Sequence, residues 1–408
     1  MTKTVNANSV VPIWARNEAF PKSPPGCGWL DIKGKPHPSE SPESLISAIR
    51  DDHNADIALV WTPDREHMIL PEEMPGSTDA VLAARKRRAN DDLLDSFGKL
   101  RWFGLLLAGL AAYIFHQYWI IAPGIASPPE QFIFALRAVL SSVYIGIALL
   151  MFLIFAFIPW YQARKRLAEL AKSSAGDLTT IIPLLRFETW LDFQKAPVTR
   201  LLLGLIGLVG LAQLKPGDSI SAAGLVKQSY LQGEWWRLLT APLMHGNPIH
   251  FLMNAAALLY LGKRVEIFAR WPHIPLVFLF SACIGGETSA RFIDAPSVGA
   301  SGGLMGWLGF LLIFESLHGC LIPQKARRRL IAGVLLTGLI GLIGYRFIDN
   351  AAHIGGLIAG MLYAAIVFPK SSSPNRPNST LTDRIAGSAA LVILAFSAVF
   401  AVRKILGI

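Results

Sequence analysis

The chain has 408 residues, of which 52% are hydrophobic and 16% charged, with a net charge of +10. That is more apolar surface than a soluble core can bury, so the composition excludes both an ordinary soluble protein and a disordered one and points to a polytopic membrane protein. The basic residues lie at the ends of apolar runs rather than along one soluble face, which fits membrane topology and speaks against nucleic acid as a partner.

The apolar runs all follow about Leu100, and a polar, Pro-rich stretch precedes them. The first residues, Met1 to Asn6, lack the basic start and apolar stretch of a signal peptide, so the leading domain is expected in the cytoplasm. Within it, Trp29 to Ile32 reads as a short strand. Ser41 caps a helix running to about Arg50, with Pro42 at the favoured first position. Ile57 to Trp61 and His67 to Leu70 read as strands joined by a turn at Thr62 to Arg65. A small soluble α+β domain and linker over residues 1–98 is the resulting expectation. Cys27, Cys283 and Cys320 are widely separated, so the spacing indicates neither a disulfide framework nor a metal site.

From there the sequence reads as nine spans near the ~20 residues that cross a bilayer core. They fall at about 102–122, 132–160, 198–214, 249–262, 272–286, 299–317, 330–344, 350–368 and 385–402. The fourth is short. Basic clusters alternate between the connections: Arg85 to Arg88, Arg164 to Arg166, Lys263 with Arg264 and Arg270, Lys325 with Arg327 to Arg329, and Lys370 with Arg376 share one side. The opposite loops carry few, with Arg291 and Arg346 each alone, so the basic side is expected to face the cytoplasm. The long 215–248 loop, with Lys215, Lys227 and Arg237, and the terminal Arg403 and Lys404 are exceptions.

This topology sends spans four, six and eight in the same direction and puts His250, Ser301 and His353 a few residues in from their outer ends. At about 1.5 Å per residue the three lie within the outer ~10 Å, where helix N-termini present unpaired N–H groups. An ionisable group inside a membrane span is costly, so its default reading is functional. Ser301 sits in Gly299-Ala300-Ser301-Gly302-Gly303, where no bulky neighbour blocks its hydroxyl. His353 precedes Gly356 and Gly360, and Gly302 precedes Gly306, the small-x-x-x-small spacing of closely packed membrane helices. That spacing alone is also a packing motif. Both together bring a Ser–His pair within reach. His250 and Asn254, four apart, share one helix face and are suited to donating to an oxyanion, while His245 precedes the helix and is expected to tie down its loop. A zinc-protease helix needs His-Glu-x-x-His, which is absent, and Asp294 and Asp349 lie at loop ends without the second intramembrane aspartate of an aspartyl protease. No metal and no organic cofactor is implied.

These residues resemble the rhomboid family of intramembrane serine proteases. The resemblance runs from about Arg200 to Phe368, roughly 40% of the chain. It rests on four motifs in order: Gly233-Glu234-Trp235-Trp236-Arg237, the His245/His250/Asn254 set, Gly299-Ala300-Ser301-Gly302, and Ala352-His353-Ile354-Gly355-Gly356. It implies Ser301 as nucleophile, His353 as general base, and His250, Asn254 and the Ser301 N–H as the oxyanion hole. Trp236 and Arg237 would belong to a loop lying partly in the outer leaflet. One departure is Met305, four residues after the serine, where family members usually carry an aromatic residue packed on the histidine; a sulfur–imidazole contact would alter the orientation of His353 rather than abolish it.

The expected fold is therefore an all-α polytopic membrane protein, with a six-helix rhomboid-like core at 176–370. Two extra transmembrane helices at 99–175 precede it, and a linker and one extra helix at 371–408 follow. The implied function is a serine endopeptidase of the bacterial inner membrane, cleaving transmembrane substrates near the extracytoplasmic face, with the lipid bilayer as its other partner. Two alternatives remain: a non-proteolytic rhomboid-like factor that binds membrane proteins for quality control, and a transporter. The latter should show an internal repeat, and none is evident.

Overall fold

The structure is a computed structural model that describes residues 11–52, 54–121, 127–172, 177, 179–345 and 348–408. Arg346 and the last residue of the first expected span lie outside these residues. The chain divides into two compact units, one of Met1–Arg16, Trp190–Gly338 and Asp349–Ile408, the other of Asn17–Thr189 and Leu339–Ile348.

In the second unit, β1 (Cys27–Asp31) is the centre of a three-stranded antiparallel sheet ordered β2-β1-β3, with β2 at Pro36–Ser39 and β3 at Ile57–Trp61. Helix α1 (Pro42–Asp51) begins as expected: Ser41 Oγ accepts from the Ser44 N–H, and Pro42 takes a position whose missing N–H costs nothing. Leu45 and Ile49, one turn apart on α1, pack with Val60, Met74 and Val81 to form the small core.

One local expectation is corrected, and one strand was not expected. Residues 67–70 form only isolated bridges, Lys22 with His67 and Val60 with Ile69, rather than a strand. Pro36-His37-Pro38-Ser39 does form one, at the sheet edge, where a proline's missing N–H can face away from the ladder. Trp29 then stacks on His37 with ring centroids 4.0 Å apart.

Helix α2 (Thr78–Ile121) is 44 residues long, so its polar first half leads unbroken into the first apolar span. Then follow α3 (Pro128–Ser141), α4 (Val143–Phe152), a π-helical turn at Leu153–Phe157, and α5 (Ile158–Lys172). The second expected span is thus broken at Ser142, whose backbone is extended (ψ 125°). Adjacent serines can satisfy backbone groups outside a helix, which a hydropathy average does not register. The continuous apolar segment is Tyr144–Lys172.

α6 (Ile182–Phe193) bends by 60° into α7 (Pro197–Ala212) at the break before Pro197. The long loop contains three short helices: α8 (Ser219–Ala223), α9 (Lys227–Leu231) and α10 (Arg237–Thr240). The remaining helices are α11 (Pro248–Ala269), α12 (His273–Phe292), α13 (Ser301–Leu317), α14 (Gln324–Ile343), α15 (Asn350–Val367) and α16 (Leu381–Leu406). Each of the nine expected spans falls on helix. By length and composition alone, four helices among the described residues can cross a membrane, or five if the bent pair is one span. The fourth span is longer than read, 22 residues, because α11 runs on through charged residues. There Arg264 donates to Glu315 of α13 at 2.6 Å, and Glu266 caps α7 by accepting from Thr199 N–H at 2.8 Å. Pairing is what lets these charges stay inside the bundle. This is a polytopic, predominantly helical integral membrane protein with a small sheet near its N-terminus.

Candidate active site

Glycines set the distance between α13 and α15. A Cβ on Gly356 would run into the Gly302 carbonyl oxygen, and one on Gly360 into that of Gly306, so the two helices touch backbone to backbone. On α12, a Cβ at Gly285 would lie 2.6 Å from the Ala352 carbonyl oxygen, so a third helix closes on the same turn. Ser301 opens α13 beside Gly302, and His353 lies one turn before Gly356 in the first turn of α15. The contact therefore holds both residues at one level. Their side chains are not hydrogen-bonded to each other among the described residues. Met305 is half-buried one turn beyond Ser301.

His250 and Asn254 arrive from α11. Asn247 caps that helix by accepting from the His250 N–H at 2.9 Å, with Pro248 in the first position. Gly299 has φ +129°, in the region that favours glycine, and a Cβ there would also stand 2.7 Å from His250 Cε1 and 3.6 Å from Asn254 Nδ2. The missing side chain thus makes room for both donors two residues before Ser301. Asn254 is 7% exposed, and its Nδ2 has no hydrogen-bond partner. A buried amide left unpaired costs free energy, which favours an acceptor arriving there during function.

At His245 the loop is held through the backbone, and both ring nitrogens of His245 are without a hydrogen-bond partner. Gln213 holds its backbone from both sides, donating to the His245 carbonyl at 2.9 Å and accepting from its N–H at 2.9 Å. The ring packs edge-on against His250 with centroids 5.1 Å apart, and burial, then the His250 charge, pushes it down to about 3, so it is neutral at physiological pH. Arg237 is a strut for the long loop. It donates to Gly224 O at 2.7 Å, Ser221 O at 3.1 Å and Glu234 Oε2 at 2.6 Å, and lies over the Trp236 ring. Trp236 itself packs on Phe400 of α16 (centroids 5.1 Å), so the extra C-terminal helix leans on this loop.

A polar network beside the site was not legible in advance. Asp349 caps α15, Oδ1 accepting from the Ala352 N–H at 2.9 Å, while Oδ2 accepts from the hydroxyls of Ser289 and Ser297. Lys227, 5% exposed, donates to the same hydroxyls at 2.7 and 2.6 Å. Burial works to raise Asp349, but the hydrogen bonds from both serines and the Ala352 N–H, together with the Lys227 charge, hold it below the usual carboxylate range. Burial presses Lys227 down to about 8 against the pull of Asp349. The available signal was an Asp-Asn pair just before a helix, a cap motif. Ser297 also pairs with Leu225 through both backbone groups, at 2.9 and 3.1 Å. A cavity of about 40 Å³ lies between this network and Ser301, bordered by Gly299, Gly302, Ser289, Ser297 and Asp349. It has room for a water molecule or two.

Comparison with known proteins finds similarity over part of the chain. A family model described as "Rhomboid domain" matches residues 232–370. Rhomboid protease GluP of Bacillus subtilis (strain 168) is 35% identical over 162 residues, covering 38% of this chain and 31% of that protein. RHOMBOID-like protein 4 of Arabidopsis thaliana is 34% identical over 143 residues, covering 35% of this chain and 36% of that protein. Inactive rhomboid protein 2 of Homo sapiens is 31% identical over 139 residues, covering 33% of this chain and 16% of that protein. The chain spans about a third of the length of the first two and about a sixth of the third.

Proposed function

We propose, from the premise that residues 232–370 make this chain a member of the rhomboid family, that it is an intramembrane serine endopeptidase working through Ser301 and His353. The observation that carries the reading is the unpartnered, buried Asn254 amide beside His250 and the bare face of Gly299, two residues from a serine at a helix N-terminus. Donors waiting without an acceptor are what an oxyanion hole requires before substrate arrives.

In this mechanism Ser301 Oγ attacks the scissile carbonyl while His353 accepts its proton, and the carbonyl oxygen becomes an oxyanion held by His250, Asn254 and the Ser301 N–H. The histidine returns the proton to the leaving amine. Water then hydrolyses the acyl-enzyme, with His353 again as base. The hydroxyls of Ser289 and Ser297 and the adjoining cavity offer that water a polar approach. Substrates are proteins with a transmembrane segment, cleaved near its extracytoplasmic end where the helix unwinds; the N-terminus lies in the cytoplasm of a bacterial cell whose inner membrane holds the protein.

Similarity to an inactive human relative favours a second reading, a non-proteolytic factor that binds membrane proteins. Retention of both Ser301 and His353 argues for the protease. The test is turnover of a single-span reporter in lipid vesicles. Asn254→Ala should lower turnover roughly 10²–10³-fold, the usual cost of one oxyanion donor, at unchanged thermal stability. Undiminished cleavage by Ser301→Ala would overturn the reading.

A further inference from the structure

The end of the bundle opposite Ser301 holds a second, larger cavity. Its volume is about 860 Å³, and Lys195, Arg270, Arg376 and Arg384 line it together with Trp271 and Asn378. Helix α11 carries His250 in its first turn and Arg270 just past its last, 20 residues on, so the two cavities are roughly 30 Å apart along that helix. The start of α7 contributes Pro197 and Val198, and α16 contributes Arg384 from its first turn. Helix ends converge there, on the side that the loop charges assign to the cytoplasmic surface of the membrane, and Trp271 is a side chain suited to such a boundary.

The charges in this wall do not cancel. Glu266 is its one carboxylate, and both its oxygens are spent on α7, accepting from the Val198 N–H at 3.1 Å, the Thr199 N–H at 2.8 Å and the Thr199 hydroxyl at 2.7 Å. Among the described residues, none of the four cations has a carboxylate within ion-pair distance. Two are fixed in place: Arg270 Nε donates to Pro377 O at 3.1 Å, and an Arg376 terminal nitrogen donates to Ile267 O at 3.0 Å. Each guanidinium has five N–H donors, so those bonds leave others for a ligand. Burial, then the like charge of Arg270, pushes Arg376 down from the usual guanidinium range, and a bound anion would relieve that repulsion. Arg270 also holds φ 77°, a conformation that favours glycine, so the fold keeps an arginine there at a backbone cost.

We propose that this cavity binds a phosphate group, and that the phosphate is that of an anionic phospholipid headgroup in the leaflet opposite Ser301. Guanidinium forks match phosphate oxygens in pairs. Basic pockets between helices on the cytoplasmic side are a recurring way of holding such headgroups, and the basic side of this bundle is the one the loop charges assign to the cytoplasm. A lipid held there would bridge the start of α7, the end of α11 and the start of α16.

The experiment uses the full chain purified in detergent. Binding of short-chain phosphatidylglycerol, short-chain phosphatidylcholine and inorganic phosphate is measured calorimetrically on wild type and two variants. Arg270→Gln/Arg376→Gln removes the two fixed guanidiniums. Lys195→Gln/Arg384→Gln keeps the Arg270 and Arg376 ties to backbone and guards against misfolding of the first. Phosphatidylglycerol should bind wild type, phosphatidylcholine should not, and either double variant should weaken binding by roughly tenfold or more. Inorganic phosphate binding as tightly, and lost in the same variants, would keep the phosphate site but assign it to free phosphate instead of lipid. Equal binding of both lipids without any phosphate signal, or affinities indifferent to both variants, would overturn the proposal.

Discussion

Lys227 and Asp349 lie 122 positions apart in sequence and share two hydroxyls, with Ser289 and Ser297 each accepting from the lysine and donating to the carboxylate. Because Asp349 also caps the helix whose first turn carries His353, the lysine in the long loop is mechanically joined to the base of the proposed mechanism. Asp349→Ala should therefore destabilise the protein by roughly 2–4 kcal/mol, from the lost cap and the buried ammonium left without its counter-ion. Thermal unfolding in detergent checks this, and Lys227→Met in the same background should recover part of the loss.

The same pair contributes to the pH dependence of stability. Lys227 has a folded value of about 8 against an ordinary 10.5, so between those values the unfolded chain holds a proton that the folded protein has released. Stability contributed by this group therefore rises with pH across that window. Asp349, held below the ordinary 3.8, contributes stability that is complete above that value and is lost as pH falls through its lower folded value. Lys227→Met should flatten the alkaline slope and leave the loss in acid, as read from melting temperature against pH.

How far the sequence revealed the molecule depended on the range of the interaction. Ser301, His353, His250 and Asn254 each sit in a short glycine- or asparagine-marked motif, so the helices that carry them were legible from period and spacing. Helix at the nine expected positions was legible for the same reason, although among the described residues only four helices, or five with the bent pair as one, are long and apolar enough to cross a membrane. Pro36–Ser39 was not, because edge pairing overrides the poor strand propensity of proline. Nor was the break at Ser142, a local backbone event inside an apolar run. The Lys227–Asp349 network was hidden because tertiary contact alone joins its members, and Lys227 read only as an exception to the loop-charge pattern.

Backbone contact between α13 and α15 predicts sharp position dependence for alanine. Gly356→Ala or Gly360→Ala should force the helices apart and lower both stability and turnover, because the obstacle in each case is a carbonyl oxygen of the partner helix. Gly204→Ala on α7, where a Cβ meets nothing within 4 Å, should be neutral or stabilising by up to about 1 kcal/mol. Melting temperatures of the three variants check the contrast.

The Arg264–Glu315 pair, 4% and 1% exposed, predicts a different pattern. Glu315→Ala should cost about 3–5 kcal/mol, because it strands a buried guanidinium. Arg264→Met/Glu315→Leu should lie much closer to wild type, since the double replacement removes both desolvation costs. A double-mutant cycle on denaturant unfolding measures the difference.

The central claim is that Ser301 is a nucleophile activated by His353. Its most direct test is fluorophosphonate labelling of the purified full chain, with the adduct located by peptide mass spectrometry, beside Ser301→Ala and His353→Ala variants of matched melting temperature. The account predicts an adduct on Ser301 in wild type and none in either variant. A well-folded wild type that fails to label, or a His353→Ala variant that labels at the wild-type rate, would contradict it.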